Sequence, residues 1–143
     1  MTNIVEIKTY SSEYHEAIQQ FLNQLTTHPM EITKEMFLQL LASENSHLFF
    51  LIKDEQIAGM LTVGTYHSPT GGKAWIEDVV VDKALRGQGL SKLLVDHAIK
   101  FTQSQGIPSL MLTSNPKRIA ANKLYQVMGF ERKETNVYRM KFK

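Results

Sequence analysis

Along this chain the hydrophobic period switches repeatedly between two residues and about three and a half, and each switch marks an element. From Ile4 to Tyr10 apolar and polar residues alternate, which predicts a half-buried strand. Tyr14, Ala17, Ile18, Phe21, Leu22 and Leu25 then share one helical face, with Ser11 or Ser12 placed to cap its start. After Pro29, Thr33 can cap a shorter helix through Met36, Phe37, Leu40 and Leu41, and Glu35 in its first turn complements the helix dipole. His47 to Lys53 and Ile57 to Tyr66 are rich in β-formers and flank Asp54-Glu-Gln56, an antiparallel hairpin. Gly71-Gly72 makes a second reversal into Lys73 to Asp82. Leu90, Leu93, Leu94, Ala98 and Phe101 mark a helix from Leu90 to Gln105, ended by Gly106 and Pro108. Leu110 to Asn115 reads as a short strand and Arg118 to Tyr125 as a helix stopped by Gly129. Phe130 to Lys133 and Val137 to Phe142 can pair as a closing hairpin.

The resulting order, β-α-α-β-β-β-α-β-α-β-β, is of the α/β (α+β) class, with about seven strands and four helices. At 143 residues and 43% hydrophobic content, the chain suffices for one domain, residues 1–143. There is no internal repeat or low-complexity tract, and neither Thr26-Thr-His-Pro-Met30 nor Ser68-Pro-Thr-Gly-Gly-Lys73 looks like an interdomain linker. A formal charge of +2 with scattered basic residues gives no indication of a nucleic-acid partner. The absence of cysteine excludes disulfides within the chain, thiolate zinc ligands and a cysteine nucleophile. His28, His47 and His67 have no metal-site spacing. The N-terminus lacks a leader pattern and no apolar run reaches membrane-spanning length, so a soluble, cytoplasmic protein without a membrane partner is expected.

The richest chemistry lies where Trp75-Ile-Glu-Asp-Val-Val-Val81 runs into Arg86-Gly-Gln-Gly-Leu-Ser91 and then a helix. Amides of such a turn, with the unpaired N–H groups of the helix's first residues, converge on one small volume and favour negative charge there. Glycines allow this because a Cβ would strain the turn and hold a phosphate away from the amides. A nucleoside triphosphate loop is excluded, since Gly89 is followed by Leu90 and Ser91 rather than Lys and Ser or Thr. A dinucleotide fingerprint also fails, with Lys92 where its third glycine would lie.

The turn resembles the acetyl-CoA signature of the GCN5-related N-acetyltransferases (GNAT), Gln/Arg-x-x-Gly-x-Gly/Ala, with Arg86, Gly89 and Ser91 in its three places. Ser91 departs from the usual Gly or Ala but is small, and its hydroxyl could cap a helix N–H or meet a phosphate oxygen. A second block resembles the family's Asn/Arg-x-x-Ala-x-x-x-Tyr-x-x-x-Gly-Phe segment, carried by Arg118, Ala121, Tyr125, Gly129 and Phe130. The resemblance covers about the last half of the chain. It implies a single-domain acyl-CoA N-acyltransferase fold, whose mixed, mostly antiparallel sheet splays open between its fourth and fifth strands. It also implies acetyl-CoA as cofactor. The backbone of Arg86, Gly87, Gln88, Gly89, Leu90 and Ser91 would then hold the pyrophosphate, with Arg86 and Lys92 adding charge at the rim. Val79, Val80 and Val81 would line the pantetheine as a pseudo-strand, with hydrogen bonds from the backbone of Val79 and Val81. Asn115, Arg118, Ala121 and Asn122 would complete the cofactor contacts.

By the same resemblance Tyr125 is the acid that protonates the departing thiolate; the plain alternative is a core tyrosine on an amphipathic helix. The attacking amine, with a pKa of about 10, must first lose a proton. Glu77 and Asp78 interrupt an otherwise apolar strand, where carboxylates are costly unless they reach water or a partner. Strand alternation sends them to opposite faces unless a bulge intervenes. Glu77 is taken as the base and Asp78 as substrate binder or structural partner, against the reading of two solvated carboxylates at a strand end. Tyr66 and His67 are expected to border the acceptor pocket. Thr113 stands where the branch that acetylates protein N-termini carries a Glu base, which argues against a ribosomal-protein acceptor. The expected function is therefore acetyl transfer to the primary amine of a small molecule, a polyamine, amino sugar or amino-acid-like compound. Open alternatives are a non-catalytic acyl-CoA sensor and a peptide acceptor, and a homodimer stays open.

Overall fold

Four strands build an antiparallel sheet in sequential order: β1 (Thr2–Glu6), β2 (Ser46–Lys53), β3 (Gln56–Ser68) and β4 (Gly71–Val81). They are seen in a computed structural model that describes residues 1–142. The chain divides into two compact units, Met1–Thr113 and Ser114–Lys143. The sheet belongs to the first, together with helices α1 (Ser12–Leu25), α2 (Lys34–Ala42) and α3 (Leu90–Ser104). No helix among the described residues is long and apolar enough to cross a membrane.

β2 explains the layering. Its Leu48, Phe49, Phe50 and Leu51 are all buried, so both faces of the sheet are covered. On one face Leu48, Phe50, Met60 and Val80 form a core with Ile18 and Phe21 of α1, Phe37 of α2, and Ile7 and Ile32. On the other, the Phe49 ring meets those of His97 and Phe101 in α3 at centroid distances of 4.7 and 5.1 Å. The caps fall where the sequence put them: the Tyr14 N–H donates to Ser11 Oγ and the Met36 N–H to Thr33 Oγ1, each at 3.1 Å. The segment between α1 and α2 is tied to α1 by Gln19, whose Oε1 accepts from the Ile32 N–H at 2.9 Å and whose Nε2 donates to the Met30 carbonyl at 3.1 Å. In the β2–β3 turn Asp54 and Glu55 both hold positive φ, 50° and 66°, as a two-residue hairpin turn of this hand requires. The N-terminal ammonium pairs with Asp54 at 2.9 Å and holds its carboxyl below the usual range.

Among the described residues the sheet has four strands, where the sequence suggested about seven. Of Leu110 to Asn115 only Met111 pairs, in one parallel bridge to Trp75 with N–H···O bonds of 2.9 Å on either side, from Ile76 to Met111 and from Met111 to Ala74. The segment then turns polar through Thr113-Ser-Asn-Pro116, and Pro116 can donate nothing to a ladder. Residues 131–142 form no strand and are exposed throughout, including Val137, Tyr138, Met140 and Phe142. A two-stranded ribbon gains little in water without an apolar face to bury, and here that face is solvated. Leu93, expected in the buried stripe of α3, is 45% exposed. In the second unit α4 (Ile119–Val127) ends at Gly129 with φ 104°, and the Phe130 N–H returns to the Tyr125 carbonyl at 2.9 Å.

Candidate functional site

β4 carries a bulge at the carboxylate pair. Thr62 faces Glu77 and Met60 faces Val80, so Asp78 and Val79 together oppose Leu61. Asp78 takes a left-handed φ of 52°, a conformation Asp tolerates better than most residues. The bulge breaks the alternation that would have sent the two carboxylates to opposite faces, and both are exposed. Neither has a hydrogen-bond or ion-pair partner among the described residues. Both carboxyls lie above their usual range: Glu77 through desolvation first and the Asp78 charge second, Asp78 through desolvation. The tips reach water while the atoms packed around the bulge withhold part of the hydration.

Beyond the bulge, Val80 turns its side chain into the core and pairs with Met60. The Asp82 N–H donates to the Ala58 carbonyl at 2.8 Å, so the trans peptide directs the Val81 carbonyl away from β3, toward the outer edge of β4. Among the residues of this unit that edge has no strand neighbour past the bridge at Trp75. Arg86 Nε donates to the Val81 carbonyl at 3.3 Å, which ties the exposed guanidinium to the end of the strand.

A short 3₁₀ turn (Lys83–Leu85) leads on, capped by Asp82 Oδ1, which accepts from the Ala84 N–H at 3.0 Å. Gln24 of α1 braces it by accepting the Lys83 N–H at 2.9 Å. Gly87 and Gly89 then adopt φ of 84° and 75°. Added Cβ atoms would meet nothing within 4 Å, so it is the left-handed backbone and not crowding that calls for glycine. Gly89 is the N-cap of α3 and supplies no side-chain cap, unlike Ser11 and Thr33 on α1 and α2, and Ser91 does not substitute for it. The first amides of α3 therefore lack intrahelical acceptors, in a stretch from Lys83 to Lys92 that contains no acid. This donor set fits a phosphate or pyrophosphate. Lys53 at the end of β2 donates its ammonium to Gln88 Oε1 in the same turn. Sequence reasoning missed Lys53, although β2 and β4 both flank β3 antiparallel and so end on the same side of the sheet.

In the second unit Asn115 Oδ1 accepts the Lys117 N–H at 2.9 Å. Asn122 Nδ2 donates to the carbonyls of Asn115 and Arg118 at 2.9 and 2.8 Å, so this amide nitrogen fastens the start of α4. Arg118 is exposed at the N-cap position and Ala121 half-buried on α4. Tyr125 is buried; burial raises its phenol above the usual range, and the Arg118 charge opposes that shift. The phenol thus keeps its proton at neutral pH.

Tyr66 and His67 are exposed at the far end of the β3–β4 hairpin, opposite Lys73 and Gly72. Tyr66 stands four residues along β3 from Thr62, the partner of Glu77, or roughly 13 Å at 3.3 Å per residue. Those two are not brought to the carboxylates. A separate open cleft of about 240 Å³, between β1 and α3, is lined by Asn3, Leu51, His97 and Lys100 among others and includes none of the sequence-derived site residues.

Comparison with known proteins adds to this geometry. The sequence profile of the acetyltransferase (GNAT) family matches residues 10–130, a span that runs through both units. N-acetyltransferase 8B of Rattus norvegicus is 28% identical over 76% of this chain and 48% of its own length. A mycothiol acetyltransferase of Renibacterium salmoninarum is 38% identical over 59% of this chain and 26% of its own. The chain thus spans about half the length, or less, of these relatives. A solved structure described as a transcriptional regulator from Bacillus halodurans C-125 superposes with a TM-score of 0.84 at 25% identity, covering 99% of this chain and all of that one. With the profile match extending over most of its length, this chain belongs to the GNAT acetyltransferase family.

Proposed function

We propose that the protein is an acetyl-CoA-dependent N-acetyltransferase acting on the primary amine of a small molecule, in the polyamine, amino-sugar or amino-acid-like range. The observation that carries this reading is the run from Glu77 to Lys92. Within it an exposed carboxylate pair, an unpaired strand edge and an uncapped helix start preceded by two left-handed glycines follow one another in the first unit. The mycothiol acetyltransferase match supports a small-molecule acceptor.

In this reading the amides from Gly87 to Lys92 hold the pyrophosphate, and the outward-facing backbone of Val79 and Val81 lines the pantetheine arm. Acetyl-CoA supplies the activated acetyl thioester when bound. Glu77 takes the proton that the acceptor's ammonium must lose, directly or through water. Desolvation and the neighbouring Asp78 charge raise its pKa, which narrows the gap to the amine. Asp78 adds negative charge that attracts the cationic acceptor. The amine nitrogen forms a bond to the acetyl carbon as the carbon–sulfur bond breaks, and Tyr125 gives its phenolic proton to the leaving sulfur. A phenol held above its usual pKa is a weak acid, so Tyr125 works through position.

Calorimetric titration with acetyl-CoA and CoA, followed by thiol release with polyamines and amino sugars, tests the reading. Binding of acetyl-CoA with amine-dependent thiol release is expected, and Tyr125→Phe should lower turnover roughly ten- to ten-thousandfold with acetyl-CoA affinity kept. Binding with no turnover on any amine would make the protein a sensor, and no binding would remove the cofactor reading altogether.

A further inference from the structure

We propose that Lys53 is a phosphate-contacting residue of the glycine turn, its ammonium passing from the Gln88 side chain to an anionic oxygen of the donor's pyrophosphate; this rests on the acyl-CoA reading above. One contact and the chemistry of its two partners support it. The two-residue turn at Asp54–Glu55 fixes Lys53 opposite Gln56, and the side chain extends from there to Gln88 Oε1, inside the turn that offers free amides. Gln88 is a neutral acceptor that engages one of the three N–H donors of an ammonium, which leaves two for an incoming ligand. A phosphate oxygen is the stronger acceptor for the same donor.

Lys53 makes no ion pair among the described residues, although its charge is felt by the neighbouring Asp54 carboxyl. Its sequence neighbour Asp54 is engaged by the N-terminal ammonium at 2.9 Å. Arg86, the cation that the family motif itself provides, has its Nε on the Val81 carbonyl. Lys53 is therefore a cation already delivered to the mouth of the turn, from a strand that the motif does not include. As a compact, hydrated point charge on a flexible stem, it can exchange acceptors without backbone movement.

The test is calorimetric titration of acetyl-CoA into the wild type, Lys53→Met, Lys53→Arg and, as a matched loss of surface charge, Lys100→Met, at several salt concentrations. Lys53→Met should bind about five- to twentyfold more weakly at low salt, with the gap closing as salt rises. Lys53→Arg should recover most of the affinity, and Lys100→Met should match the wild type. Equal affinity of Lys53→Met and wild type at low salt overturns the proposal. A deficit that stays constant across salt also overturns it, assigning Lys53 to the shape of the turn. Failure of the wild type to bind acetyl-CoA would instead strike the acyl-CoA reading on which the proposal rests.

Discussion

Asp78 shows what one residue does when its backbone and its charge both disfavour its position. Its left-handed φ and its desolvated carboxyl are each unfavourable, and it keeps both at a point where the strand turns its carboxylates outward. The pair Glu77-Asp78 was legible as out of place in an apolar strand. The bulge was not, because it depends on how Thr62, Leu61 and Met60 register against β4, and one strand's own pattern does not contain its partner's register. The carboxyl makes stability depend on pH with a definite sign. A folded-state pKa raised above the ordinary 3.8 means a contribution that is fully present below that value and lost as pH rises through the folded pKa. Asn keeps the left-handed backbone and the neutral form at every pH. Asp78→Asn should therefore unfold at a higher temperature than the wild type at pH 7, with the advantage fading toward pH 3.8. Thermal unfolding across that range checks it, and an advantage independent of pH would contradict the account.

At the scale of elements, close approach is set by the smallest residue. Gly59 of β3 faces Val81, and a Cβ there would lie 2.8 Å from the Val80 carbonyl oxygen and 3.2 Å from a Leu94 methyl of α3. The backbone of β4 cannot yield without moving the bulge and the turn that follows it. Gly59→Ala is expected to lower stability by about 1–3 kcal/mol, the usual cost of overpacking, read from chemical denaturation. A neutral outcome would mean that α3 and β4 slide freely over β3. The elements legible in sequence were those with a pattern or turn of their own: the four helices, β1, the β2–β3 and β3–β4 hairpins, and the caps at Ser11 and Thr33. Elements that depend on a distant partner were not, which is why Leu110 to Asn115 shrinks to one bridge. The same holds for side chains such as Arg86 and Asn122, where residue type is visible but the carbonyl each satisfies is not.

For the molecule as a whole, charge is less evenly spread than the near-neutral total suggests. Residues 1–113 carry eight Lys or Arg against twelve Asp or Glu, whereas residues 114–143 carry eight against two. Within the basic unit Arg132, Lys133, Arg139 and Lys141 lie in the exposed stretch 131–142 that forms no strand. Backbone without ladder hydrogen bonds is open to a protease. Brief trypsin treatment should cut first after these four residues, as seen by mass spectrometry, while sites within β2 to β4 and α3 survive. Protection of 131–142 equal to that of the sheet would show that the closing hairpin suggested by the sequence does form in solution.

The bridge at Trp75 has a use of its own. The chain has a single tryptophan, and it stands on β4 two residues before Glu77, at the last point where that strand has a parallel neighbour. Its indole emission therefore comes from one place only, where the strand edge becomes unpaired. Any event that parts or tightens this junction would register as a change in intrinsic fluorescence, and no label need be attached to follow it in real time.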